Sequence, residues 1–236
     1  MRKIVTAGNN VPRPATIGSH MQSTPADIPA GVIERLPVYL GTLIQLRHEG
    51  RTTVSSSRLG ELTGINPAQI RRDLTHFGSF GKRGVGYDIA LLVDSIQRIL
   101  GADHVHRLAL IGAGNLGSAI AGYDGLKQHG FYVTAVFDND PKKVGTRIGD
   151  VVVQHVDELP RVVADQNIRI AVLAVPPEAA QAAADLVCRA GIKIILNYTP
   201  ALVSVPDGVR LHNTDPVLEL LHTLYYLSRA EGTDKV

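Results

Sequence analysis

The pattern of apolar and polar residues divides the chain into two parts that meet near Gly101. In the first part, apolar residues recur at helical spacing over residues 34–49, and Gly50 ends this stripe. Two shorter helical patterns follow, separated by a tight turn at Gly64. Residues 77–87 hold too many glycines for a helix, but their aromatic residues and valine fit a small β-hairpin. This part is therefore predicted to be helical, with a hairpin before its last helix.

Polar residues mark the starts of the short helices. Asn66 is placed as an N-cap, with Pro67 at the first helical position, where a missing N–H group costs nothing. The exposed side of this third helix is expected to carry Gln69, Arg71, Arg72 and Asp73. Three helices with a tight turn, followed by a Gly-rich hairpin, are typical of a winged helix-turn-helix, in which the third helix enters the major groove.

The second part alternates strands and helices. Strands are predicted at residues 107–111, 131–137, 151–153, 168–175, 192–196 and 209–212, and helices at residues 115–129, 156–166, 178–190 and 216–230. The strands are apolar on both faces, which is typical of a parallel sheet covered by helices. The predicted fold class is therefore α/β, with an N-terminal winged helix-turn-helix and a C-terminal Rossmann-like parallel sheet domain.

A Gly-rich turn follows the first strand of the second part. Gly112, Gly114 and Gly117 have the spacing GxGxxG, and a helical segment follows directly. The first glycine permits a sharp turn, the second lets the backbone approach a pyrophosphate, and the third lets helix and strand pack closely. The N–H groups at the start of the helix would face the phosphates. This arrangement indicates a dinucleotide site.

Asp138 ends the next strand, where a carboxylate can accept hydrogen bonds from both hydroxyls of an adenosine ribose. A carboxylate there would repel a 2′-phosphate, which favours NAD(H) over NADP(H), but Lys142 and Lys143 lie nearby and leave NADP(H) open. In an open parallel sheet the ligand lies at the carboxyl ends of the strands. The loops at residues 174–177 and 196–200 are therefore candidate walls for the nicotinamide end, with ligand-free loops as the alternative.

Composition narrows the classes of protein. A hydrophobic content of 44% with 19% charged residues is ordinary for a globular protein, and no apolar run approaches the ~18 residues of a membrane helix. Cys188 is the single cysteine, which excludes an internal disulfide and is expected to be a buried structural thiol. Residues 1–21 end in Gly18-Ser19-His20-Met21, which is typical of a cloning leader, with a native disordered arm as the alternative.

No catalytic group stands out in the sequence. His155, His212 and His222 are isolated, and no metal-ligand spacing is present. A sheet domain of this size also leaves little chain for a substrate domain. The chain is therefore predicted not to be an enzyme and to bind no metal.

Positive charge is concentrated in the first part of a chain whose formal net charge is only +2. Arg71, Arg72, Lys82 and Arg83 lie close together in sequence, and only Asp73 opposes them. Gln and Arg side chains on a recognition helix can read adenine and guanine, and hairpin cations can reach phosphates. Tyr87 could stack or donate to a phosphate. A DNA partner is the favoured interpretation, and a small helical interaction domain with a solvated face is the alternative.

These residues resemble a known family, the redox-sensing transcriptional repressors called Rex. The resembling segments are residues 70–74, 77–87, 111–117, 135–141 and 195–200, in family order within residues 28–230. The resemblance implies a cytoplasmic bacterial homodimer that binds palindromic operator DNA and is released by NADH, so that it senses the ratio of NADH to NAD⁺. It implies a winged-helix domain at residues 28–101, a Rossmann domain at residues 102–214 and an exchanged dimerisation helix at residues 215–230.

The resemblance and the motifs together give a set of expected site residues. Expected cofactor contacts are Gly112, Ala113, Gly114, Asn115, Leu116, Gly117, Asp138, Lys143, Val175, Pro176, Asn197, Thr199 and Tyr123, the last matching a family tyrosine near the nicotinamide. Expected DNA contacts are Ser57, Asn66, Pro67, Gln69, Arg71, Arg72, Lys82, Arg83 and Tyr87. Expected dimer and switch residues are Asp215, Leu221 and Tyr225.

The switch contact departs from the family pattern. Asp215 matches an acid that pairs, in some members, with an arginine of the DNA-binding domain, and that arginine falls at Gly41 here. Arg35 or another cation is expected to take its place. Independently of the resemblance, the terminal helix is apolar nearly all round, which requires burial on more than one side. An ordinary core helix is the alternative to exchange between subunits.

Two other classes of function stay open from the residues alone. One is an NAD-dependent oxidoreductase with a helical N-terminal appendage. The other is a nucleotide-binding module for coenzyme A, although the carboxylate of Asp138 disfavours its 3′-phosphate.

Overall fold

The structure is a computed structural model that describes residues 28–78, 81–82, 86–218, 220–221 and 223–224. These residues divide into two compact units, with the boundary between Ile96 and Gln97. The predicted α/β fold class, helical at the N-terminus and Rossmann-like at the C-terminus, is confirmed.

The first unit is a helical bundle with a small antiparallel sheet. Its elements are α1 (Ala30–His48), β1 (Thr53–Val54), α2 (Ser56–Thr63), α3 (Pro67–Thr75), β2 (Gly81–Lys82), β3 (Gly86–Asp88) and α4 (Ile89–Leu100), whose last residues fall in the second unit. The sheet order is β1-β3-β2, so that β2 and β3 form the predicted hairpin. β1, which was not predicted, pairs Val54 with Tyr87 along the other edge of β3.

The starts of α3 and α4 are capped by side chains, whereas the start of α1 differs from its prediction. The side-chain oxygen of Asn66 accepts a hydrogen bond from the backbone N–H of Ala68 at 2.8 Å, as expected of an N-cap. Asp88 caps α4 in the same way through the N–H of Leu91, at 3.0 Å. The predicted start of α1 at residue 34 is wrong by about one turn. The helix begins at Ala30 because Val32 extends its buried stripe, even though the interior contains Pro37.

The second unit is a twisted sheet with helices on both faces. Its elements are β4 (His106–Ile111), α5 (Asn115–Ala121), α6 (Asp124–Gln128), β5 (Phe131–Asp138), β6 (Arg147–Ile148), β7 (Val151–His155), α7 (Leu159–Asp165), β8 (Ile170–Leu173), α8 (Ala180–Arg189), β9 (Ile194–Asn197) and β10 (Arg210–Asn213). The strand order is β10-β9-β8-β4-β5-β7-β6, and every neighbouring pair is parallel except β6 with β7.

The secondary structure of this unit differs from the sequence predictions in three respects. The helix predicted at residues 115–129 is broken into α5 and α6, because the chain leaves helical geometry at Tyr123 before Asp124 starts a new turn. The short edge strand β6 was missed because two residues give too little pattern to detect. Short 3₁₀ turns also precede α7 and α8, where continuous helices were predicted.

Alternate residues of the central strand β4 enter separate cores. Ala109 and Ile111 pack on one side of the sheet with Phe137, whereas Leu110 packs on the other side with Val136. All five residues are buried. Since both faces are covered, residues 108–111 of the strand are all apolar, and its carboxyl end leads into the loops that form the site. Among the described residues, no helix is long and apolar enough to cross a membrane.

Candidate cofactor site and nucleic-acid interface

The Gly-rich turn joins β4 to α5 and contacts the end of the neighbouring strand β8. Gly112 has φ +102°, and a Cβ at this position would strike the carbonyl oxygen of Ala174. A Cβ at Gly117 would strike the carbonyl oxygen of Gly112. These two glycines are therefore required by the fold of the turn itself, because any side chain would force β4, β8 and α5 apart.

Gly114 has a different environment. No atom lies within 4 Å of the position that its Cβ would take, and its backbone is in the extended region with φ −85°. It immediately precedes α5 and lines a cavity. An alanine could adopt this backbone, so the turn itself does not require a glycine here. A pyrophosphate that approaches the backbone closely would need the space that the methyl group of an alanine would take.

Asp138 is held in place at the end of β5. Its Oδ2 atom accepts from the backbone N–H of Ala113 at 2.7 Å and from Nζ of Lys143 at 3.0 Å, and its Oδ1 atom accepts from the N–H of Asp140 at 2.9 Å. Burial opposes ionisation, but the two backbone N–H groups and the Lys143 ammonium outweigh it and hold the pKa of Asp138 below its usual value. The side chain is therefore an anchored carboxylate that borders the turn.

The cavity beside this turn has a volume of about 780 Å³ and lies at the carboxyl ends of the neighbouring strands β4 and β8, where the strand order reverses. In parallel sheets of this kind, such a switch point is where ligands bind. Expected residues that line it are Gly112, Gly114, Asn115, Leu116, Asp138, Lys143, Val175, Pro176 and Thr199. Residues not expected at the site also line it, namely Asn139, Asp140, Val156, Ala179, Ala182, Ala183 and Leu186. Loop residues Ala174, Tyr198 and Pro200 line it as well, in the two predicted walls.

Four expected cofactor residues do not line the cavity: Ala113, Gly117, Asn197 and Tyr123. Ala113 instead donates to Asp138, and Gly117 packs under the turn. Tyr123 lies in the break between α5 and α6 rather than early in one continuous helix, and 65% of it is exposed.

Asn197 is fully buried and cross-links the loop after β9. Its Nδ2 group donates to Oδ1 of Asn213 at 2.9 Å and to the carbonyl oxygen of Ala201 at 3.2 Å. Its Oδ1 atom accepts from both the N–H and the hydroxyl of Thr199, at 3.1 and 2.8 Å. Asn197 thus shapes the wall that Thr199 presents to the cavity.

In the first unit, the buried side of α3 carries a carboxylate, that of Asp73. Asp73 is 1% exposed, which contradicts its predicted place on the exposed side of α3. It accepts hydrogen bonds from Nε and Nη2 of Arg35 at 2.7 and 2.8 Å and from the hydroxyl of Tyr39 at 2.7 Å. The prediction failed because Asp73 lies among other charged residues in the sequence, and the local pattern does not reveal its hydrogen-bond donors on α1. The aspartate therefore ties α1 to α3 and is not available to DNA.

The rest of the predicted DNA face is exposed or partly exposed: Ser57, Asn66, Pro67, Gln69, Arg71, Arg72 and Tyr87. Arg71 donates to the hydroxyl of Ser56 on α2 at 3.0 Å, a contact that the sequence did not suggest. Lys82 lies in β2, and Arg83 lies outside the described residues. α3 thus carries two exposed arginines, and its N-terminus is capped by Asn66.

The expected switch residues lie in or near the terminal helix, of which residues 216–218, 220–221 and 223–224 are described. Asp215 accepts from the N–H of Val217 at 2.9 Å and so caps this helix. Leu221 is 56% exposed, and Tyr225 lies outside the described residues. Arg35, expected to replace the family arginine missing at Gly41, already holds Asp73 through two of its nitrogens. That expectation is therefore not supported.

Within the described residues, no group of three or more His, Cys, Asp or Glu side chains could hold a metal ion. Cys188 is partly buried in α8, and its burial raises the pKa of the thiol, as expected of a structural cysteine.

Two family models match this chain. One, described as "CoA binding domain", matches residues 103–201, and the other, described as "Putative DNA-binding protein N-terminus", matches residues 27–75. The first covers the sheet unit with its Gly-rich turn, and the second covers α1 to α3.

Curated relatives match over nearly their full length. A protein of Rubrobacter xylanophilus named redox-sensing transcriptional repressor Rex is 51% identical over 201 residues, which are 85% of this chain and 93% of the relative. A protein of Streptomyces griseus with the same name is 40% identical over 221 residues, which are 93% of this chain and 87% of the relative.

Solved structures match to a similar extent. The crystal structure of RSP in complex with β-NAD⁺ and operator DNA has a TM-score of 0.79 and 38% identity, covering 87% of this chain and 95% of that one. The crystal structure of RSP in complex with β-NADH has a TM-score of 0.78 and 37% identity, covering 87% of this chain and 97% of that one.

Proposed function

The chain belongs to the Rex family of redox-sensing transcriptional repressors, and from this premise we propose how its own residues bind cofactor and DNA. It is a repressor that binds operator DNA, senses the ratio of NADH to NAD⁺ and is released from DNA by NADH. The cofactor assignment rests on one observation. The anchored carboxylate of Asp138 lies beside the Gly-rich turn, in which the backbone of Gly114 adjoins open space.

The cavity provides a physical basis for redox discrimination. The nicotinamide ring is cationic only when oxidised, and transfer of a cation from water into an apolar site is unfavourable. We place the nicotinamide end against Val175, Pro176 and Thr199, and the adenosine ribose on Asp138, because these groups lie in the same cavity. Each tenfold preference for NADH requires only about 1.4 kcal/mol of such discrimination.

Asp138 also determines which dinucleotide fits. Its negative charge repels a 2′-phosphate, although Lys143 neutralises part of that charge at 3.0 Å. We propose NAD(H) as the cofactor, with Asp138 accepting from the ribose hydroxyls and the turn at residues 112–117 contacting the pyrophosphate. Asn115, Leu116 and Lys143, which line the same cavity, are part of this proposal.

The DNA interface is proposed for the winged-helix domain expected at residues 28–101. α3 enters the major groove with Arg71 and Arg72, while Asn66 and Ser57 approach the phosphates. In a homodimer the two copies of α3 would read a palindrome, with half-sites about one DNA turn, roughly 34 Å, or a multiple of it apart.

The dimer is proposed to form through the terminal helix, at residues 215–230. Described apolar residues of this helix are more than half exposed: Val217, Leu218, Leu220, Leu221 and Leu224. Such a surface needs a partner. We propose a second copy of this chain as that partner, with Leu221 and Tyr225 at the interface. The protein then acts in the cytoplasm, where operator DNA and the nicotinamide pool are found, and it regulates transcription rather than turning over a substrate.

The test is a gel-shift titration on a duplex that the purified protein has selected from a random-sequence pool. NADH is expected to release the duplex, and NAD⁺ to release it far less at the same concentration. Equal release by both cofactors would refute redox sensing. Calorimetry on the same preparation compares the affinities for NADH, NADPH and coenzyme A. It tests the NAD(H) assignment against the coenzyme A site that the description of the matching family suggests.

A further inference from the structure

The hydrogen-bonding capacity of Asp73 is filled. Its Oδ2 atom accepts from Nε of Arg35 and the hydroxyl of Tyr39, and its Oδ1 atom accepts from Nη2 of Arg35 at 2.8 Å and Nε2 of Gln69 at 2.7 Å. A carboxylate has two oxygens with two lone pairs each, so that four donors saturate it. This carboxylate is buried, and its four hydrogen bonds fix its position against α1.

The carboxylate dictates which way the amide of Gln69 points. An ionised carboxylate only accepts hydrogen bonds, so the NH₂ group of Gln69 must face Asp73, and the amide oxygen must face away from it. That oxygen accepts from Nη2 of Arg72 at 2.6 Å. A continuous series of hydrogen bonds thus runs from buried Asp73 through Gln69 to an exposed guanidinium on α3.

This series restricts Arg72. A free arginine side chain samples many rotamers, and ordering it on DNA costs free energy. With Nη2 bound to Gln69, part of that ordering is already present before DNA arrives. Gln69 uses one of its N–H donors on Asp73 and one lone pair of its oxygen on Arg72, so that two contacts within the protein set the orientation of its amide.

We propose that Gln69 is a positioning residue, which transmits the fixed orientation of Asp73 to Arg72 and acts on DNA through Arg72 rather than by reading a base itself. The inference rests on the proposed function, in which Arg72 contacts operator DNA. It replaces the sequence-based expectation that Gln69 pairs with adenine.

A double-mutant cycle on the selected duplex tests the proposal. Gln69→Ala in the otherwise unchanged protein is expected to weaken DNA binding about two- to tenfold, the usual cost of ordering one long side chain. In an Arg72→Ala background the same substitution is expected to change affinity less than twofold, because the residue through which it acts is gone. Gln69→Met, which keeps the volume without the amide, should behave like Gln69→Ala.

The matched control is Gln45→Ala, at an exposed glutamine of α1 that donates to Glu49 directly after this helix. It should leave DNA affinity unchanged in both backgrounds. Thermal unfolding of every variant, with NADH affinity measured by calorimetry, reports any general loss of structure, which would lower DNA affinity equally in both backgrounds.

The outcomes are distinguishable. An equal loss from Gln69→Ala with and without Arg72 overturns the positioning role and indicates a direct or purely structural one. A protein that selects no duplex at all overturns the proposed function, and the inference with it. Loss that requires Arg72 supports both.

Discussion

At the scale of single residues, the three glycines of the turn after β4 have three different reasons to be glycine. Gly112 needs a positive φ and lies against the backbone of Ala174, and Gly117 lies against the carbonyl of Gly112. Gly114 has an ordinary backbone and open space. Sequence spacing treats all three alike, whereas the structure separates two that shape the turn from one that leaves room for a ligand.

This difference predicts opposite effects of the same substitution. Gly114→Ala should leave the thermal unfolding midpoint nearly unchanged but weaken NADH binding at least about tenfold, ~1.4 kcal/mol, because its methyl group occupies ligand space. Gly117→Ala should lower the unfolding midpoint, because its methyl group meets backbone that cannot move aside. Calorimetric titration and thermal unfolding measure both quantities. Tight NADH binding by Gly114→Ala would show that the pyrophosphate lies elsewhere.

A second residue-scale prediction concerns acid stability. Burial works against the ionisation of Asp73, but its hydrogen bonds to Arg35, Tyr39 and Gln69 outweigh this, and its pKa lies below the usual 3.8. A carboxyl group with a lowered pKa in the folded state stabilises the protein fully above the unfolded-state value. That stabilisation is lost as pH falls from about 5 through the lower folded-state pKa.

Asp73→Asn should therefore cost about 1.5–3 kcal/mol of unfolding free energy at neutral pH, the range for hydrogen bonds to a charged group. The cost should shrink as pH falls towards 3, because the carboxyl group takes up a proton in the unfolded state while its lowered pKa resists protonation in the folded state. Urea unfolding between pH 3 and 7 measures it, with the exposed Asp207→Asn as the matched control. A cost that does not vary with pH would contradict the charged role of Asp73.

At the scale of elements, the strong sequence signals were the caps and the strands that are apolar on both faces. Asn66 caps α3 as expected, because a cap depends on residues next to it in the chain, and Asp88 caps α4 in the same way. The break between α5 and α6 and the strand β1 were missed. β1 forms because Val54 pairs with Tyr87, which is distant in sequence. The local pattern of residues around Val54 gives no information about such a partner.

The terminal helix carries the prediction at this scale. Leu221→Glu should weaken the homodimer at least about a hundredfold, because each subunit loses the burial of one leucine, ~1.5–3 kcal/mol. Leu202→Glu is the matched control, since Leu202 is 95% exposed in a loop outside this helix. Sedimentation equilibrium measures both dissociation constants. A dimer of unchanged stability in Leu221→Glu would place the subunit contact elsewhere.

At the scale of the whole molecule, the function requires energetic coupling between two sites in separate units. Coupling between binding sites is reciprocal, because both ligands act on the same equilibrium. A homodimer with one cofactor site in each subunit binds two NADH molecules for each operator. If saturating NADH lowers operator affinity by some factor, saturating operator DNA should therefore lower the affinity for each NADH by the square root of that factor. NADH titrations with and without the selected duplex measure it. A departure from this relation would show that binding is accompanied by a further linked process, such as a change of oligomeric state.

The sequence alone determined the class of each unit, the Gly-rich turn after β4, the carboxylate of Asp138 at the end of β5 and the exposed arginines of α3. These depend on spacing within one segment of chain, where periodicity and motif geometry are sufficient. Only the tertiary structure showed that Asp73 is buried under Arg35 and Tyr39, that Asn197 shapes a loop instead of lining the cavity, and that Gln69 points its oxygen at Arg72. The physical reason is that a polar side chain takes its role from the partners that folding brings to it. Those partners come from distant parts of the chain.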